Sequence, residues 1–196
     1  MILVMKEKFR KELLEKRKKI PKNKVLSKSK KIKQLLFDTE EFKNASTILF
    51  YISYGNEVFT HEMVKECISN KRKITVPVTD VENKTLILSK LKNWEDLTLG
   101  AYDILEPKED KIEEVSIYDI DLIIVPGIGY DELGCRMGHG VGYYDDLLKN
   151  ATNSHHFGLA FESQIVENIP IEPHDIPVHK IITEKRIIDC LAQPIF

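Results

Sequence analysis

The amino-acid sequence predicts an α/β fold with three layers: a mainly parallel sheet flanked by helices, with a helical arm at the amino terminus. Short apolar stretches typical of strands alternate with stretches of helical periodicity, which is the pattern of parallel sheets with crossover helices. Residues 122–125 are apolar throughout, as expected for a strand buried on both faces. A glycine-rich segment, residues 126–142 (the glycine loop), follows directly and leads into a helix. Ligands of such sheets bind at the carboxyl ends of the strands.

The first half of the chain is predicted to contain the arm and three strands. Apolar residues recur at helical spacing up to Pro21, which ends the first helix, and a second helix is predicted over 24–37. Thr60 is expected to be the N-cap of a third helix, because its hydroxyl can accept a hydrogen bond from the first turn. Strands are predicted over residues 47–53, 73–78 and 85–91.

The second half of the chain is predicted to contain the buried strand, a helix and three further strands. Residues 92–120 are acidic and lack a clear period, so we expect a surface excursion with at most one helical turn. Further strands are predicted over 156–161, 178–183 and 187–190, and the helix after the glycine loop is expected to end near Lys149. Without repeats or linkers, the chain is expected to form one α/β domain over 1–196, with residues 1–37 as a basic helical arm packed on it.

Bulk composition excludes several classes of protein. The chain has 196 residues, 42% of them hydrophobic, which is enough for a core, and no apolar stretch reaches the length of a membrane span. Its three cysteines form no CxxC pattern, so neither a disulfide framework nor a zinc site is expected. We therefore expect a cytoplasmic protein that does not associate with membranes and is a monomer or a weak homodimer.

Charge is distributed very unevenly along the chain. Residues 1–33 contain fourteen Lys and Arg against three Glu, a balance of +11, so the rest of the chain must carry −13 to give the net charge of −2. This asymmetry indicates a phosphate-bearing ligand near the arm, although two solvated helices would explain most of the lysines equally well. RNA binding is a weaker hypothesis, because few aromatic residues are interleaved with the lysines, and we expect no nucleic-acid partner.

The glycine loop is the strongest indication of a binding site. Gly138, Gly140 and Gly142 stand at alternate positions near Arg136, and the loop leads into a helix. Exposed backbone N–H groups, a helix amino terminus and a guanidinium together suit an anionic ligand. The glycine spacing fits neither the dinucleotide fingerprint nor the P-loop, and a tight structural turn is the alternative.

Several polar residues near the predicted strand ends are candidates for chemistry. Glu57 follows the first strand, where its carboxylate could bind the amino group and ring N–H of a pterin or guanine, although an exposed loop glutamate is the more ordinary explanation. His139 lies between two glycines and could donate to an anion or stack on a ligand, whereas Tyr143 and Tyr144 could equally be packing residues.

Two aspartates are candidate magnesium ligands. Asp145 lies in the first turn of the helix after the glycine loop, and Asp175 lies in a turn before a predicted strand. Mg²⁺ prefers one or two carboxylates together with phosphates and water, so both could serve a nucleotide-bound ion. The alternative for Asp145 is a favourable interaction with the helix dipole, and the alternative for Asp175 is the ordinary preference of aspartate for turns. No set of residues typical of covalent catalysis is recognisable.

The sequence resembles one known family. VPGIGYDELGCRMGHGVGYYDDLL, residues 125–148, is similar to the signature of the 5-formyltetrahydrofolate cyclo-ligases, also called methenyltetrahydrofolate synthetases. Three other segments also resemble that family: KEKFR at 6–10, ILFYISYGNEVFT at 48–60 and PHDIPVHKIITE at 173–184. The resemblance implies an α/β fold of the type shared with sugar-phosphate isomerases and CoA transferases.

The resemblance also implies an activity, ligands and site residues. The reaction would be the ATP- and Mg²⁺-dependent cyclisation of 5-formyltetrahydrofolate, with or without a polyglutamate tail, to 5,10-methenyltetrahydrofolate, ADP and phosphate. ATP would be bound by Lys6, Arg10, Arg136, Gly138, His139, Gly140, Val141, Gly142, Tyr143 and Tyr144. The folate would contact Ile52, Glu57, His139 and Tyr143. Magnesium would be held by Asp145 and Asp175, and catalysis would depend on Arg136, Tyr143 and Asp145.

Two positions depart from the family pattern. Val141 stands where the family usually has Gly or Lys, and His179 replaces a common Asp. The alternative hypothesis is therefore a paralogue that binds ATP and a pterin but acts on a different one-carbon carrier.

Overall fold

The chain begins with two long helices, as the sequence predicts. The computed structural model describes residues 2–190, and of residues 2–5 only the backbone. Residues 1 and 191–196 of the expected domain therefore lie outside the described part. The α-helices of that part are α1 (Ile2–Lys18), α2 (Lys22–Asp38), α3 (Glu40–Asn44), α4 (His61–Ser69) and α5 (Tyr143–Asn150). None of these helices is long and apolar enough to cross a membrane.

A mainly parallel sheet forms the middle of the molecule. The strands are β1 (Thr47–Leu49), β2 (Lys73–Asp80), β3 (Thr85–Leu91), β4 (Leu97–Leu99), β5 (Leu105–Pro107), β6 (Leu122–Val125), β7 (Gly129–Asp131), β8 (Arg136–Met137), β9 (His155–Leu159), β10 (Ile165–Val166), β11 (Lys180–Ile182) and β12 (Ile187–Asp189). The central sheet has the order β12-β11-β9-β6-β1-β2-β3. Its inner pairs are parallel, and only the edge strands β3 and β12 run antiparallel to their neighbours.

The two faces of this sheet are buried by different helices. On one face, Ile48 and Leu122 pack with residues of α2 and α4, and on the other face Leu49 and Ile123 pack with Leu148 of α5. Successive strand residues point to opposite faces, so a strand covered on both sides must be apolar at every position. All four residues of β6 are fully buried. The predicted three-layer α/β fold is confirmed.

Several local expectations differ from the structure. The segment 92–120 contains a two-stranded hairpin, β4 and β5, and short 3-10 turns rather than an irregular excursion. The glycine loop contributes β7 and β8 to a second small sheet with β10. These strands have two or three residues each, too few for a periodic pattern to show. The first strand is also shorter than predicted and ends at Leu49, and α3 was not predicted.

Thr60 stands at the N-cap position of α4, as predicted, but its side chain does not cap the helix. Its hydroxyl makes no hydrogen bond to the first turn of α4. Instead, its hydroxyl donates to the Tyr51 carbonyl oxygen at 2.8 Å and accepts from the Ser53 N–H at 3.0 Å. Thr60 therefore connects the start of α4 to the segment that directly follows β1.

His156 is expected to make stability depend on pH. It is 5% exposed, and burial lowers its pKa to about 4. In the unfolded chain the pKa is about 6.5, so below that pH the unfolded state binds the additional proton and stability falls as pH drops towards 4. From this residue alone, we expect the free energy of unfolding to be about 2 kcal/mol lower at pH 5 than at pH 7. Urea unfolding at the two pH values measures this difference.

The control for that measurement is His156→Gln, which does not titrate. The glutamine amide nitrogen takes the place of His156 Nε2 and can donate to the Ala151 carbonyl oxygen, which that atom contacts at 3.1 Å. The loss of stability between pH 7 and pH 5 should shrink in the variant. An equal loss in both proteins would contradict the assignment to His156.

Candidate active site

A deep pocket lies at the carboxyl ends of β1, β2 and β6. Its volume is about 540 Å³, and it is lined by residues that follow or end these strands, among them Ile52, Thr79 and Pro126. The glycine loop, the amino end of α5 and the amino-terminal part of α1 form other walls. Ligands were expected to bind at this edge of the sheet, because the carboxyl ends of its parallel strands lie there.

Every site residue predicted from the sequence lines this pocket. They are Lys6, Arg10, Ile52, Glu57, Arg136, Gly138, His139, Gly140, Val141, Gly142, Tyr143, Tyr144, Asp145 and Asp175. They come from four separated parts of the chain (residues 6–10, 52–57, 136–145 and 175), which the fold brings together around one pocket. Their individual binding roles stay predictions.

The glycine loop serves two purposes in different parts of its length. Gly134 is structural, because it has a φ of +87° and a side chain there would lie 2.3 Å from the Val178 carbonyl oxygen. Gly142 has a φ of +90°, directly precedes α5 and has open space around its Cα. The turn alternative therefore holds for the first part of the loop, and the backbone of the second part is accessible from the pocket.

Arg10 connects α1 to the second part of the glycine loop. Its Nε donates to the Gly138 carbonyl oxygen at 2.9 Å. Its guanidinium lies so close to Gly140 that an added Cβ there would be 3.2 Å away. The arm thus places a permanent positive charge beside the exposed backbone N–H groups of the loop.

Arg136 and Asp145 form a partly buried ion pair at the base of the loop. Arg136 Nη2 lies 2.6 Å from Asp145 Oδ1, and Arg136 Nη1 donates to the Ile176 carbonyl oxygen. The Ile176 N–H in turn donates to the same Asp145 oxygen at 3.1 Å. The pair therefore joins β8, the first turn of α5 and the segment before β11, so both residues are structural as well as pocket-lining.

Lys6 is held by two carboxylates. Its Nζ lies 2.7 Å from Asp175 Oδ2 and 2.9 Å from Glu172 Oε2. Burial acts to lower the pKa of Lys6, but hydrogen bonds with Asp175 and Glu172 outweigh it and raise the pKa above its ordinary value. Burial likewise acts to raise the pKa of Asp175, but the bonds from Lys6 and the Glu172 N–H leave it below its ordinary value. Both groups are therefore charged at neutral pH.

The two carboxylates that bind Lys6 also belong to a candidate cation site. Ligand atoms of Glu172, His174 and Asp175 lie within 4.8 Å of one another, the one such cluster within residues 2–190. Glu172 was not singled out from the sequence, because a glutamate in a turn carries no distinguishing signal. The expected partner, Asp145, is instead bound to Arg136.

Glu57 also lines the pocket and is 5% exposed, so it is not an ordinary solvent-exposed loop glutamate. Its Oε1 accepts from Arg17 Nη1 at 3.4 Å, and its Oε2 accepts from the Tyr54 N–H at 3.2 Å. His139 Nε2 lies 3.8 Å from Glu57 Oε1 and 3.1 Å from the Tyr54 hydroxyl. The loop after β1 and the glycine loop therefore meet around this carboxylate.

Two tyrosines face each other at the mouth of the pocket. The hydroxyls of Tyr102 and Tyr143 lie 3.3 Å apart, and this hydrogen bond raises the pKa of Tyr143 to about 12. Tyr143 is therefore protonated at neutral pH. Tyr102 lies between β4 and β5, in the segment expected to be an irregular excursion, so its place in the pocket was not predicted. Its exposure at the tip of a hairpin is known only from the structure, and the sequence carries no signal for it.

Tyr144 has a polar group that its protein neighbours leave unsatisfied. Its hydroxyl is buried and has no hydrogen-bond partner among the described residues, although the side chain lines the pocket. Burial raises the pKa of Tyr144 well above its ordinary value, so the hydroxyl keeps its proton. A buried donor without a partner is costly, and a ligand in the pocket would offer it one.

The fold and this pocket define an α/β ligand-binding protein whose site lies at the carboxyl ends of parallel strands, between a basic helix and a glycine loop. The model of the 5-formyltetrahydrofolate cyclo-ligase family matches residues 3–184 of the chain. The chain therefore belongs to the 5-formyltetrahydrofolate cyclo-ligase family, and the predicted family is confirmed.

Individual relatives agree with this assignment. The 5-formyltetrahydrofolate cyclo-ligase of Mus musculus is 28% identical over 175 residues, which cover 81% of this chain and 86% of that protein. The enzyme of the same name from Saccharomyces cerevisiae is 31% identical and covers 71% of this chain and 76% of its own length. The solved structure of Aquifex aeolicus 5,10-methenyltetrahydrofolate synthetase superposes with a TM-score of 0.86 at 31% identity, covering 98% of this chain and 96% of that one.

Proposed function

We propose that the protein cyclises 5-formyltetrahydrofolate to 5,10-methenyltetrahydrofolate in this pocket, using ATP and Mg²⁺ and releasing ADP and phosphate. The observation that supports this proposal best is that one pocket is lined by groups of two different chemistries. Lys6, Arg10 and Arg136 line it, and we assign their part (the cationic end) to the triphosphate; the buried carboxylate of Glu57 lines it too, and we assign its part (the pterin end) to the folate. A reaction between a polyphosphate and a heterocycle with donor groups requires both ends.

The cationic end suits the triphosphate. The glycine loop leads into α5, whose first-turn N–H groups and helix dipole favour an anion. Arg10 lies beside this backbone and brings a charge that does not depend on pH. The functional role of these groups would be to hold the γ-phosphate in line with its acceptor and to neutralise the charge that develops there.

The other end suits the pterin ring. Glu57 offers carboxylate oxygens in a buried environment, where a ring amino group and a neighbouring ring N–H can both donate to it. Ile52 and His139 line the same region and would contact the faces of the ring.

The carboxylates of the pocket suit a magnesium ion. Asp175 and Glu172 supply the hard oxygen donors that Mg²⁺ prefers, and Lys6 pairs with both of them. Asp145, which is paired with Arg136, would be a further ligand from the wall of the same pocket. When bound, Mg²⁺ would neutralise phosphate oxygens.

The chemistry then needs only alignment of the two substrates. The formyl oxygen attacks the γ-phosphorus and ADP leaves, so that the formyl carbon carries a phosphate ester. The neighbouring amine nitrogen attacks this carbon, loses its proton to water, and the bond between carbon and phosphate oxygen breaks. Glu57 would orient the pterin, and Arg10 and Arg136 would stabilise the charge of the transferring group.

The direct test is to incubate the purified protein with ATP, Mg²⁺ and 5-formyltetrahydrofolate and to follow the methenyl chromophore. ATP-dependent formation of the chromophore supports the proposal. Its absence would favour the paralogue hypothesis, for which Val141 is the remaining indication, since it is 48% exposed and lines the pocket. His179 gives that hypothesis no support, because it stacks on His156 and is not among the described residues that line the pocket.

Arg10→Ala is expected to raise the KM for ATP by about tenfold or more and to change the KM for 5-formyltetrahydrofolate much less. The reason is the loss of a charged hydrogen-bond donor beside the glycine loop, a contact of about 1.5–3 kcal/mol. Lys18→Ala on the same helix is the matched control, because its Nζ pairs with exposed Glu15 and with no other carboxylate of the described residues. Initial rates at varied ATP measure both. An equal effect of the two variants would contradict the role of Arg10.

A further inference from the structure

We propose that Arg17 is a positioning residue for the folate: it fixes the carboxylate of Glu57 and so sets the affinity for 5-formyltetrahydrofolate without touching it. This inference rests on the proposed role of Glu57 in binding the pterin ring. It adds a residue from the basic arm to the folate end of the pocket, although the charge pattern of the sequence connects that arm only with phosphate.

The pair of Arg17 and Glu57 is buried, unlike most ion pairs of the arm. Both side chains are 6% exposed, and Arg17 Nη1 lies 3.4 Å both from Glu57 Oε1 and from the Gly127 carbonyl oxygen. By comparison, Lys18, the next residue, is 68% exposed in its pair with Glu15. Arg17 is not among the described residues that line the pocket, so any effect on the ligand must pass through the residues that it contacts, of which Glu57 is the charged one.

The hydrogen bonds of Glu57 leave room for two ligand donors. An ionised carboxylate has about four acceptor sites. Arg17 uses a site on Oε1, and the Tyr54 N–H uses a site on Oε2. One site on each oxygen then remains for the pocket, which matches the two neighbouring donors of a pterin edge. Arg17 therefore balances the buried charge and also fixes which lone pairs face the substrate.

The backbone around this pair is also fixed. Asn56 Nδ2 donates to the carbonyl oxygens of Lys18 at 3.1 Å and Ile20 at 2.9 Å, and so satisfies acceptors just past the end of α1. Arg17 stands seven residues after Arg10, about 10 Å along the same helix. The helix α1 thus contacts the glycine loop through Arg10 and the carboxylate of Glu57 through Arg17.

The test compares Arg17→Gln, Arg17→Lys and the control Lys18→Gln. We expect Arg17→Gln to raise the Kd and the KM for 5-formyltetrahydrofolate by about tenfold or more, as for the loss of a hydrogen bond to a charged group. The KM for ATP should change by less than about twofold, and Arg17→Lys should restore part of the folate affinity by returning the charge. A purely structural role would instead lower the yield of active protein or kcat and leave both KM values unchanged, which would overturn the proposal.

The same series in a Glu57→Gln background separates this inference from the proposed function. If Glu57→Gln leaves folate binding unchanged, the assignment of the pterin end fails. If Glu57→Gln weakens folate binding and Arg17→Gln does not, only the role of Arg17 fails. If both weaken it, their effects should not add, because they act on one contact. If Arg17→Gln does not fold, Arg17→Lys is used in its place. Changes in folate affinity that add in the double variant of Arg17→Lys and Glu57→Gln overturn the proposal, and changes that do not add support it.

Discussion

Arg136→Lys is expected to reduce kcat/KM by at least about a hundredfold, the effect typical of removing one preorganised charge-stabilising donor. Lysine keeps the positive charge but loses the planar fork that binds Asp145 and the Ile176 carbonyl oxygen together. The first turn of α5 and the segment before β11 would no longer be held at one point. Both segments carry proposed magnesium ligands, so the site should lose its geometry as well as a donor.

Arg186→Lys is the matched control for this substitution. Like Arg136, Arg186 binds two acceptor groups, Glu132 at 2.7 Å and Glu162 at 3.0 Å, but it is half exposed. Exposed pairs contribute little, so this variant should keep nearly full activity. Steady-state rates and thermal unfolding of both proteins measure the contrast. Near-normal kcat/KM in Arg136→Lys would contradict the placement of Arg136 in the site.

The alanine variant of Arg136 is a poorer test of the same idea. From the sequence alone, Arg136→Ala would be expected to abolish turnover without affecting the fold. The structure shows that it would leave Asp145, a mostly buried carboxylate, without its charged partner. Breaking a buried pair in this way costs about 3–5 kcal/mol of stability. Loss of activity in that variant would therefore not distinguish catalysis from folding.

The central layer of the fold could be predicted because its signal is local. The four apolar residues of β6 indicate burial on both faces without any knowledge of the neighbouring strands. The β4–β5 hairpin and the small sheet around β7 could not be predicted, since strands of two or three residues are stabilised by their pairing partners and not by their own composition. The side chain of Thr60 does not cap α4 for a similar reason. Its hydroxyl is hydrogen-bonded to a tertiary partner, the Tyr51 carbonyl oxygen, which the sequence does not reveal.

The lining of the site could be predicted, but its internal pairing could not. Residue type and motif position were enough to select Arg10, Glu57 and Asp175, and all three line one pocket. That Lys6 would bind Asp175, 169 positions away, depends on how the arm docks against the last third of the chain. The charge pattern of the sequence shows that the arm is basic. It does not show which carboxylates the arm contacts in the folded protein.

Glu57→Gln is expected to weaken binding of 5-formyltetrahydrofolate by at least about a hundredfold. The amide has almost the same size as the carboxylate but replaces one acceptor with an NH₂ donor, which would point at a donor of the pterin or at Arg17. A site that is built for hydrogen bonds discriminates strongly when one of them becomes unpaired. Equilibrium titration with the folate, with ATP binding measured in parallel, separates this effect from a general loss of structure.

Glu62→Gln is the control for that titration, because Glu62 is 64% exposed on α4 and, within the described part of the chain, forms its ion pair with Lys65 alone. It should bind folate and ATP as the unchanged protein does. Weakened folate binding with normal ATP binding in Glu57→Gln would separate the two ends of the pocket energetically, as their chemistry separates them structurally. Parallel losses of both ligands would instead mean that Glu57 supports the pocket as a whole, through its bonds to Arg17 and Tyr54, and that another group recognises the pterin.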